Sequence, residues 1–111
     1  MREPRVELLW WEGCPSTEEA LAMLREEMTA VGLDPCAVEV REVSSDADAE
    51  REEFIGSPTI RVDGRDIQQL PNEPIGLACR LYRLADGRVA PVPDRAEVRQ
   101  TLTNAMKGGE N

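Results

Sequence analysis

The chain has 111 residues, of which 41% are hydrophobic and 32% are charged, and its formal net charge is -9. This length predicts one folded domain over residues 1–111, and the acidic balance argues against binding to nucleic acid or to anionic membranes, because both need a basic surface. The sequence has no histidine, which excludes Cys-His nucleophile pairs, the Ser-His-Asp triad and every zinc site that needs an imidazole.

The apolar segments and the cysteines indicate the cellular compartment. No apolar segment resembles a signal peptide or a membrane span, so we expect a cytoplasmic protein. In that compartment its three cysteines are expected to be reduced, as catalytic, metal-binding or structural thiols rather than as a disulfide framework.

Hydrophobic periodicity and turn residues predict an alternation of strands and helices along the chain. The predicted elements, in chain order, are a buried strand over 6–11, a helix from about Pro15 to Val31, a strand over 37–43, a short acidic helix over 44–53, a strand over 58–62, a loop over 67–76, a strand over 77–84, a final helix from Asp94, and a frayed tail from about 107.

Local signals support several of these boundaries. Ser16 with Glu19 three residues later predicts a capping box at the start of the first helix, and Gly32 predicts its end. Asp63-Gly64 is a strong hairpin signal after the third strand. The order β-α-β-α-β-β-α predicts a right-handed crossover and hence a parallel pair formed by the first two strands.

One cysteine lies at the junction of the first strand and the first helix. Cys14 follows Gly13 and precedes Pro15, immediately after the apolar run that ends at Trp11. A helix N-terminus offers unpaired N–H groups and a partial positive charge, and both favour a thiolate over a thiol. Cys14 is therefore the first candidate for chemistry, against the alternative of a buried structural cysteine.

Three motifs resemble those of the thioredoxin-like superfamily: Gly13-Cys14-Pro15, Gly56-Ser57-Pro58-Thr59 and Cys79-Arg80-Leu81-Tyr82. The resemblance covers roughly residues 6–106. It is closest to small bacterial thioredoxin-family proteins, some of which are labelled alkylmercury-lyase-like. It implies an α/β fold with a central mixed four-stranded sheet and helices on both faces.

The resemblance also implies roles for individual residues. Cys14 would be the nucleophile, and Trp11, Pro15, Ser57 and Pro58 would contact the substrate. Pro58 would follow a cis peptide bond that exposes the backbone of Ser57, so that an extended peptide or glutathione could pair with it.

The chain departs from the thioredoxin pattern at Thr17, which stands where a second cysteine is usual, so a Cys-x-x-Cys disulfide is excluded. Cys79 is then the candidate resolving thiol, with a small core residue as the alternative. Expected partners are a small thiol such as glutathione or a disulfide-containing protein. A homodimer is possible, and no cofactor is expected.

Two other functions are compatible with the same residues. Cys14 and Cys79 could be the two ligands of a soft metal or an organomercurial. Alternatively, the chain could be a non-catalytic thioredoxin-like interaction module.

Overall fold

A computed structural model describes residues 3–69 and 73–108, which form a mixed sheet with helices packed against it and a separate two-stranded hairpin. The strands are β1 (Val6–Trp10), β2 (Glu39–Glu42), β3 (Thr59–Val62), β4 (Arg65–Asp66), β5 (Tyr82–Arg83) and β6 (Val89–Ala90), and the helices are α1 (Thr17–Ala30), α2 (Asp46–Glu52) and α3 (Arg95–Met106).

The main sheet has four strands in the order β2-β1-β3-β4. β1 and β2 are parallel, as the crossover through α1 requires, with Leu8 opposite Val40. β3 is antiparallel to β1, and β4 is antiparallel to β3. The predictions of a mixed four-stranded sheet and of a parallel first pair are confirmed.

Helices pack on both faces of this sheet, as predicted. Successive side chains of a strand point to opposite faces. Val6 and Leu8 of β1 therefore join one cluster with buried residues of α1 and α3, while Leu9 joins a second cluster with Ala49 of α2 and Phe54.

The ends of α1 differ in how well the sequence predicts them. The prediction of a capping box is wrong. Ser16 is the N-cap, but its backbone has ψ near 3° rather than the extended value, and its side chain makes no capping hydrogen bond. The C-terminal stop is confirmed, because Gly32 has φ +92° and the Leu33 N–H donates to the Met28 carbonyl at 2.8 Å, as in a Schellman motif.

The predicted strand over 77–84 is wrong. Only Tyr82–Arg83 of that segment is a strand, and it pairs with Val89–Ala90 in the separate hairpin. The fourth strand of the main sheet is instead β4, which follows the predicted Asp63-Gly64 turn directly. The segment before Tyr82 makes one isolated bridge, between Cys79 and Ser57.

The burial pattern of this segment also differs from what its composition suggests. Arg80 and Tyr82 are buried, whereas Leu81 is 57% exposed. The charged side chain thus points inward and the leucine outward, because Asp66 neutralises the guanidinium in the interior. Composition alone does not predict that a charged residue will take the buried side of an alternating segment.

The other helices agree with the predictions. Ser45 caps α2 by accepting from the Asp48 N–H at 3.0 Å. α3 starts after Asp94, whose carboxylate accepts from the Ala85 N–H at 2.7 Å instead of capping the helix. In the predicted loop 67–76, residues 70–72 lie outside the described residues, as do residues 109–111 of the predicted tail.

Candidate functional site: two thiols at Ser57

Cys14 lies between β1 and α1 in a tight turn. Its N–H donates to the Trp11 carbonyl at 3.0 Å, and α1 begins three residues later at Thr17. The residue is only 8% exposed. The sequence-based placement of this thiol at the mouth of a helix is confirmed, although Pro15 stands before the first helical residue rather than within the helix.

Trp11 covers the turn that carries Cys14. A Cβ placed on Gly13 would overlap the six-membered ring of Trp11, so the half-buried indole lies directly against the glycine. Pro15, on the other side of the thiol, is exposed. Both residues border Cys14 as expected, and their substrate-binding role stays a prediction.

Ser57 is the centre of the site. It is fully buried, its hydroxyl accepts from the Trp11 N–H at 3.0 Å, and its carbonyl oxygen accepts from the Cys14 thiol at 3.3 Å. These two bonds join the segment before β3 to the segment after β1. They hold the thiol against a main-chain carbonyl.

Cys79 reaches the same point from the other side. It is the bridge partner of Ser57, with the Ser57 N–H donating to the Ala78 carbonyl at 2.7 Å and the Arg80 N–H donating to the Ser57 carbonyl at 3.1 Å. The expectation that the Ser57 backbone is exposed is therefore wrong. The chain's own segment already occupies both of its main-chain groups.

Cys14 affects the protonation of Cys79. Loss of solvation raises the pKa of the Cys79 thiol, even though the residue as a whole is exposed, and the hydrogen-bonding and charge interactions with Cys14 raise it further. A negative charge on Cys14 thus disfavours a second one on Cys79.

Pro58 is buried beside the thiols, and the peptide bond that precedes it is cis, as the resemblance implies. Its carbonyl accepts from the Tyr82 hydroxyl at 2.6 Å. Burial raises the pKa of Tyr82 far above its ordinary value. Tyr82 is therefore a packing residue and a hydrogen-bond donor, not a proton donor for thiol chemistry at neutral pH.

Arg80 is the site residue that sequence reasoning missed. Its side chain is 3% exposed, it pairs with Asp66 at 2.7 Å, and its guanidinium lies 4.1 Å from the centre of the Tyr82 ring. It also donates to the Thr59 hydroxyl at 3.3 Å and to the Gln68 carbonyl at 3.0 Å. The only sequence signal was its position next to Cys79, which does not indicate burial.

The described residues contain no group of three or more cysteine and carboxylate side chains that could hold a metal ion. The third thiol, Cys36, is exposed in a 3-10 turn before β2, at the opposite end of the sheet from Cys14. Among the three cysteines, it is Cys14 and Cys79 that meet at one residue, Ser57. No helix described here is long and apolar enough to cross a membrane.

Comparison with known proteins adds nothing to this geometry. No protein-family model matches the chain, and no curated protein sequence or solved structure does either. The function is therefore argued from the site itself.

Proposed function

We propose that this chain is a thioredoxin-like thiol–disulfide exchange protein in which Cys14 attacks and Cys79 resolves. The observation that carries the proposal is the convergence of the two cysteines on Ser57, where Cys14 donates to its carbonyl and Cys79 is its bridge partner. Thr17 excludes the usual second cysteine, and Cys79 supplies the second thiol from a distant part of the chain.

The reaction proceeds in two exchanges. The Cys14 thiolate attacks one sulfur of a substrate disulfide, forms a mixed disulfide and releases the other substrate sulfur as a thiolate that takes up a proton. Cys79 then loses its proton and attacks the Cys14 sulfur, which releases the second substrate thiol. The protein ends with a Cys14–Cys79 disulfide, the substrate has gained two electrons and two protons, and two molecules of a small thiol such as glutathione restore the dithiol.

The division of roles follows from the surroundings of each thiol. Cys14 lies in the turn that leads into α1, three residues before the first helical residue. The pKa of Cys79 is raised by loss of solvation and by Cys14, so Cys79 keeps its proton while Cys14 attacks. The element order, with helices on both faces of a β2-β1-β3-β4 sheet, supports the thioredoxin-like part of the proposal.

A soft metal or an organomercurial is the second candidate ligand for the same pair. Two thiolates that share one anchoring residue suit a two-coordinate soft ion, and no histidine competes for it. The two functions differ in one respect. Metal binding needs both thiols at the same time, whereas the first exchange step needs Cys14 alone.

The test uses the full chain and its three Cys→Ser variants, with Cys36→Ser as the matched control because that thiol is exposed and remote. After treatment with oxidised glutathione, we expect wild type and Cys36→Ser to form the Cys14–Cys79 disulfide. We expect Cys79→Ser to retain one glutathione on Cys14, as seen by mass spectrometry of tryptic peptides. If Cys14 is modified no faster than Cys36, the exchange function is wrong.

A titration with mercury(II) separates the alternatives. The metal function requires one tight site in wild type that both Cys14→Ser and Cys79→Ser lose and that Cys36→Ser keeps. If Cys14→Ser changes neither exchange nor metal binding, the chain is a non-catalytic module.

A further inference from the structure

A short segment of the chain, Gly76–Arg80, lies across the site, and we refer to it as the strap. It runs parallel to the residues that precede β3, with the Gly76 N–H donating to the Phe54 carbonyl at 3.0 Å and two further main-chain bonds at Ser57. The strap belongs to neither sheet. Its pairing resembles that of an extended peptide bound along a strand edge.

The strap places a cysteine where the chemistry would take place. Cys79 lies directly opposite Ser57, and the Ser57 carbonyl also receives the Cys14 thiol. An incoming peptide that paired with the N–H and carbonyl of Ser57 would place its own residue at the position of Cys79. Such a peptide cannot bind while the strap is in place, because Ala78 and Arg80 already use both groups.

The solvent exposure of the two thiols also indicates that the strap blocks access to Cys14. Cys14 is 8% exposed, whereas Cys79 and Ala78 are exposed. A nucleophile that must reach a sulfur in another molecule needs an open approach. Of the two thiols at Ser57, the exposed one is Cys79 on the strap.

We infer that the strap is an internal pseudosubstrate, which must leave Ser57 before an extended, cysteine-containing peptide can pair there and reach Cys14. This inference rests on the proposed exchange function for the final reaction step, but not for the binding step. In the closed state, with the strap paired to Ser57, Cys79 resolves disulfides on Cys14. In the open state, with the strap released, the main chain of Ser57 pairs with the substrate peptide.

Arg80 anchors one end of the strap. Its guanidinium is bound by Asp66, by the Thr59 hydroxyl and by the Gln68 carbonyl, while its Nε is buried without a partner among the described residues. The ion pair stabilises the closed state, and the unsatisfied N–H offsets part of that stabilisation. When the strap leaves, Asp66 loses this ion pair and keeps the hydrogen bond that its other carboxylate oxygen accepts from the Gln68 N–H at 2.9 Å.

The anchor therefore also predicts the sequence preference of the site. A peptide with arginine directly after its cysteine would give Asp66 a new guanidinium. The preferred ligand is thus an extended peptide with a Cys-Arg pair, which replaces Cys79 and Arg80 residue by residue.

Gly56 provides an independent way to move the strap. A Cβ on this residue would lie 2.7 Å from the Cβ of Arg80 and 3.2 Å from its main-chain nitrogen. Gly64 also has a left-handed backbone, with φ +81° against φ +143° at Gly56, but a Cβ there would meet nothing within 4 Å. Gly56→Ala and Gly64→Ala therefore share backbone strain, and only the first displaces the strap.

The first measurement is amide hydrogen exchange by NMR on the reduced protein. We expect the Ser57 and Arg80 N–H groups to exchange faster in Arg80→Gln and in Gly56→Ala than in wild type. The controls are Arg83→Gln, which removes an exposed arginine, and Gly64→Ala. If these two amides are as protected in both test variants as in their controls, the strap does not open in this way and the inference is wrong.

The second measurement is binding of a synthetic peptide, Ile-Gly-Leu-Ala-Ser-Arg-Leu, which copies the strap with serine in place of cysteine. A site that opens more often binds more tightly in proportion to the open fraction, so we expect roughly tenfold tighter binding to Arg80→Gln than to Arg83→Gln. For the same peptide with glutamine in place of arginine, we expect a smaller gain in affinity for Arg80→Gln over Arg83→Gln. Faster amide exchange with no gain in peptide affinity would overturn the pseudosubstrate inference.

The serine peptide separates this inference from the proposed function, because its binding needs no thiol chemistry. Tighter peptide binding together with an unreactive Cys14 would overturn the exchange function alone. A reactive Cys14 together with unchanged peptide binding would overturn the pseudosubstrate alone.

Discussion

Cys79 lies directly opposite Ser57 in a single parallel bridge, although the two residues are 22 positions apart in the sequence. The bridge brings Cys79 to the residue whose carbonyl accepts the Cys14 thiol. A second thiol thus reaches the first without a Cys-x-x-Cys motif. One buried serine thus connects the two segments that carry these cysteines.

This relationship has a consequence for stability at alkaline pH. Loss of solvation and the neighbouring Cys14 raise the pKa of Cys79 in the folded protein, so the unfolded chain loses this proton first as pH rises. The contribution is fully present below the ordinary thiol pKa of about 8.5 and is lost as pH rises through the folded value.

We therefore expect the unfolding free energy of the reduced protein, from urea denaturation, to fall more steeply above about pH 8.5 in wild type than in Cys79→Ser. Cys36→Ser is the control and should keep the wild-type slope. Equal slopes in wild type and Cys79→Ser would contradict the interaction with Cys14.

Gly13 is predicted to tolerate no larger side chain. In Gly13→Ala the new methyl group overlaps the Trp11 ring, so the indole must move away from the turn that holds Cys14. Overpacking of this kind costs about 1–3 kcal/mol. We expect lower stability, a red-shifted tryptophan emission and faster alkylation of Cys14. Gly76→Ala, where a Cβ meets nothing within 4 Å, should leave the emission unchanged.

Tyr82 is expected to stabilise the site through its hydroxyl. Tyr82→Phe removes the donor to the Pro58 carbonyl and leaves that buried oxygen unpaired, which costs about 1–3 kcal/mol. The exposed Thr29 hydroxyl, which donates to the Arg25 carbonyl, provides the comparison, because Thr29→Val should change stability by less than about 0.5 kcal/mol. Similar urea midpoints for the two variants would show that the Tyr82 bond contributes little.

Glu27 joins α1 to α3. Its buried carboxylate accepts from Arg99 at 2.7 Å and from Arg95 at 3.1 Å. The Arg99 hydrogen bond is the main cause of its lowered pKa; burial opposes the shift, and Arg95 adds to it. This contribution to stability is present above the ordinary glutamate pKa of about 4.3, and it is lost as pH falls through the folded value.

Glu27→Gln is expected to cost about 1.5–3 kcal/mol at pH 7, since two charge-assisted hydrogen bonds are weakened. It should also flatten the loss of stability below about pH 4. Glu26→Gln is the matched control. Glu26 is 61% exposed and pairs with Arg95, so its loss should cost less than about 1 kcal/mol. A Glu26 variant as unstable as the Glu27 variant would contradict the role of burial.

The sequence predicted the elements whose signals are local. The apolar run at Val6–Trp10, the stop at Gly32 and the hairpin at Asp63-Gly64 each depend on the conformations that neighbouring residues can adopt. These signals were sufficient for the parallel pair and for helices on both faces of the sheet. They were also sufficient to place Cys14 in the turn between a strand and a helix.

The sequence failed where a residue's environment is made by distant parts of the chain. Arg80 is buried because Asp66 neutralises it and because Thr59 and Gln68 accept its hydrogen bonds. An arginine without such partners would have pointed into water and left the apolar Leu81 inside. This ion pair allows a charged residue to take the buried side of the segment, which composition alone does not predict.

The sequence by itself determined where Cys14 lies, because a strand, a turn and a helix start are all decided within a few residues. Only the tertiary structure decided what faces that thiol. Main-chain hydrogen bonds between Ser57 and the strap carry no side-chain signature, so nothing in the sequence marks them. Those bonds bring Cys79 to Ser57 and occupy both main-chain groups of that residue.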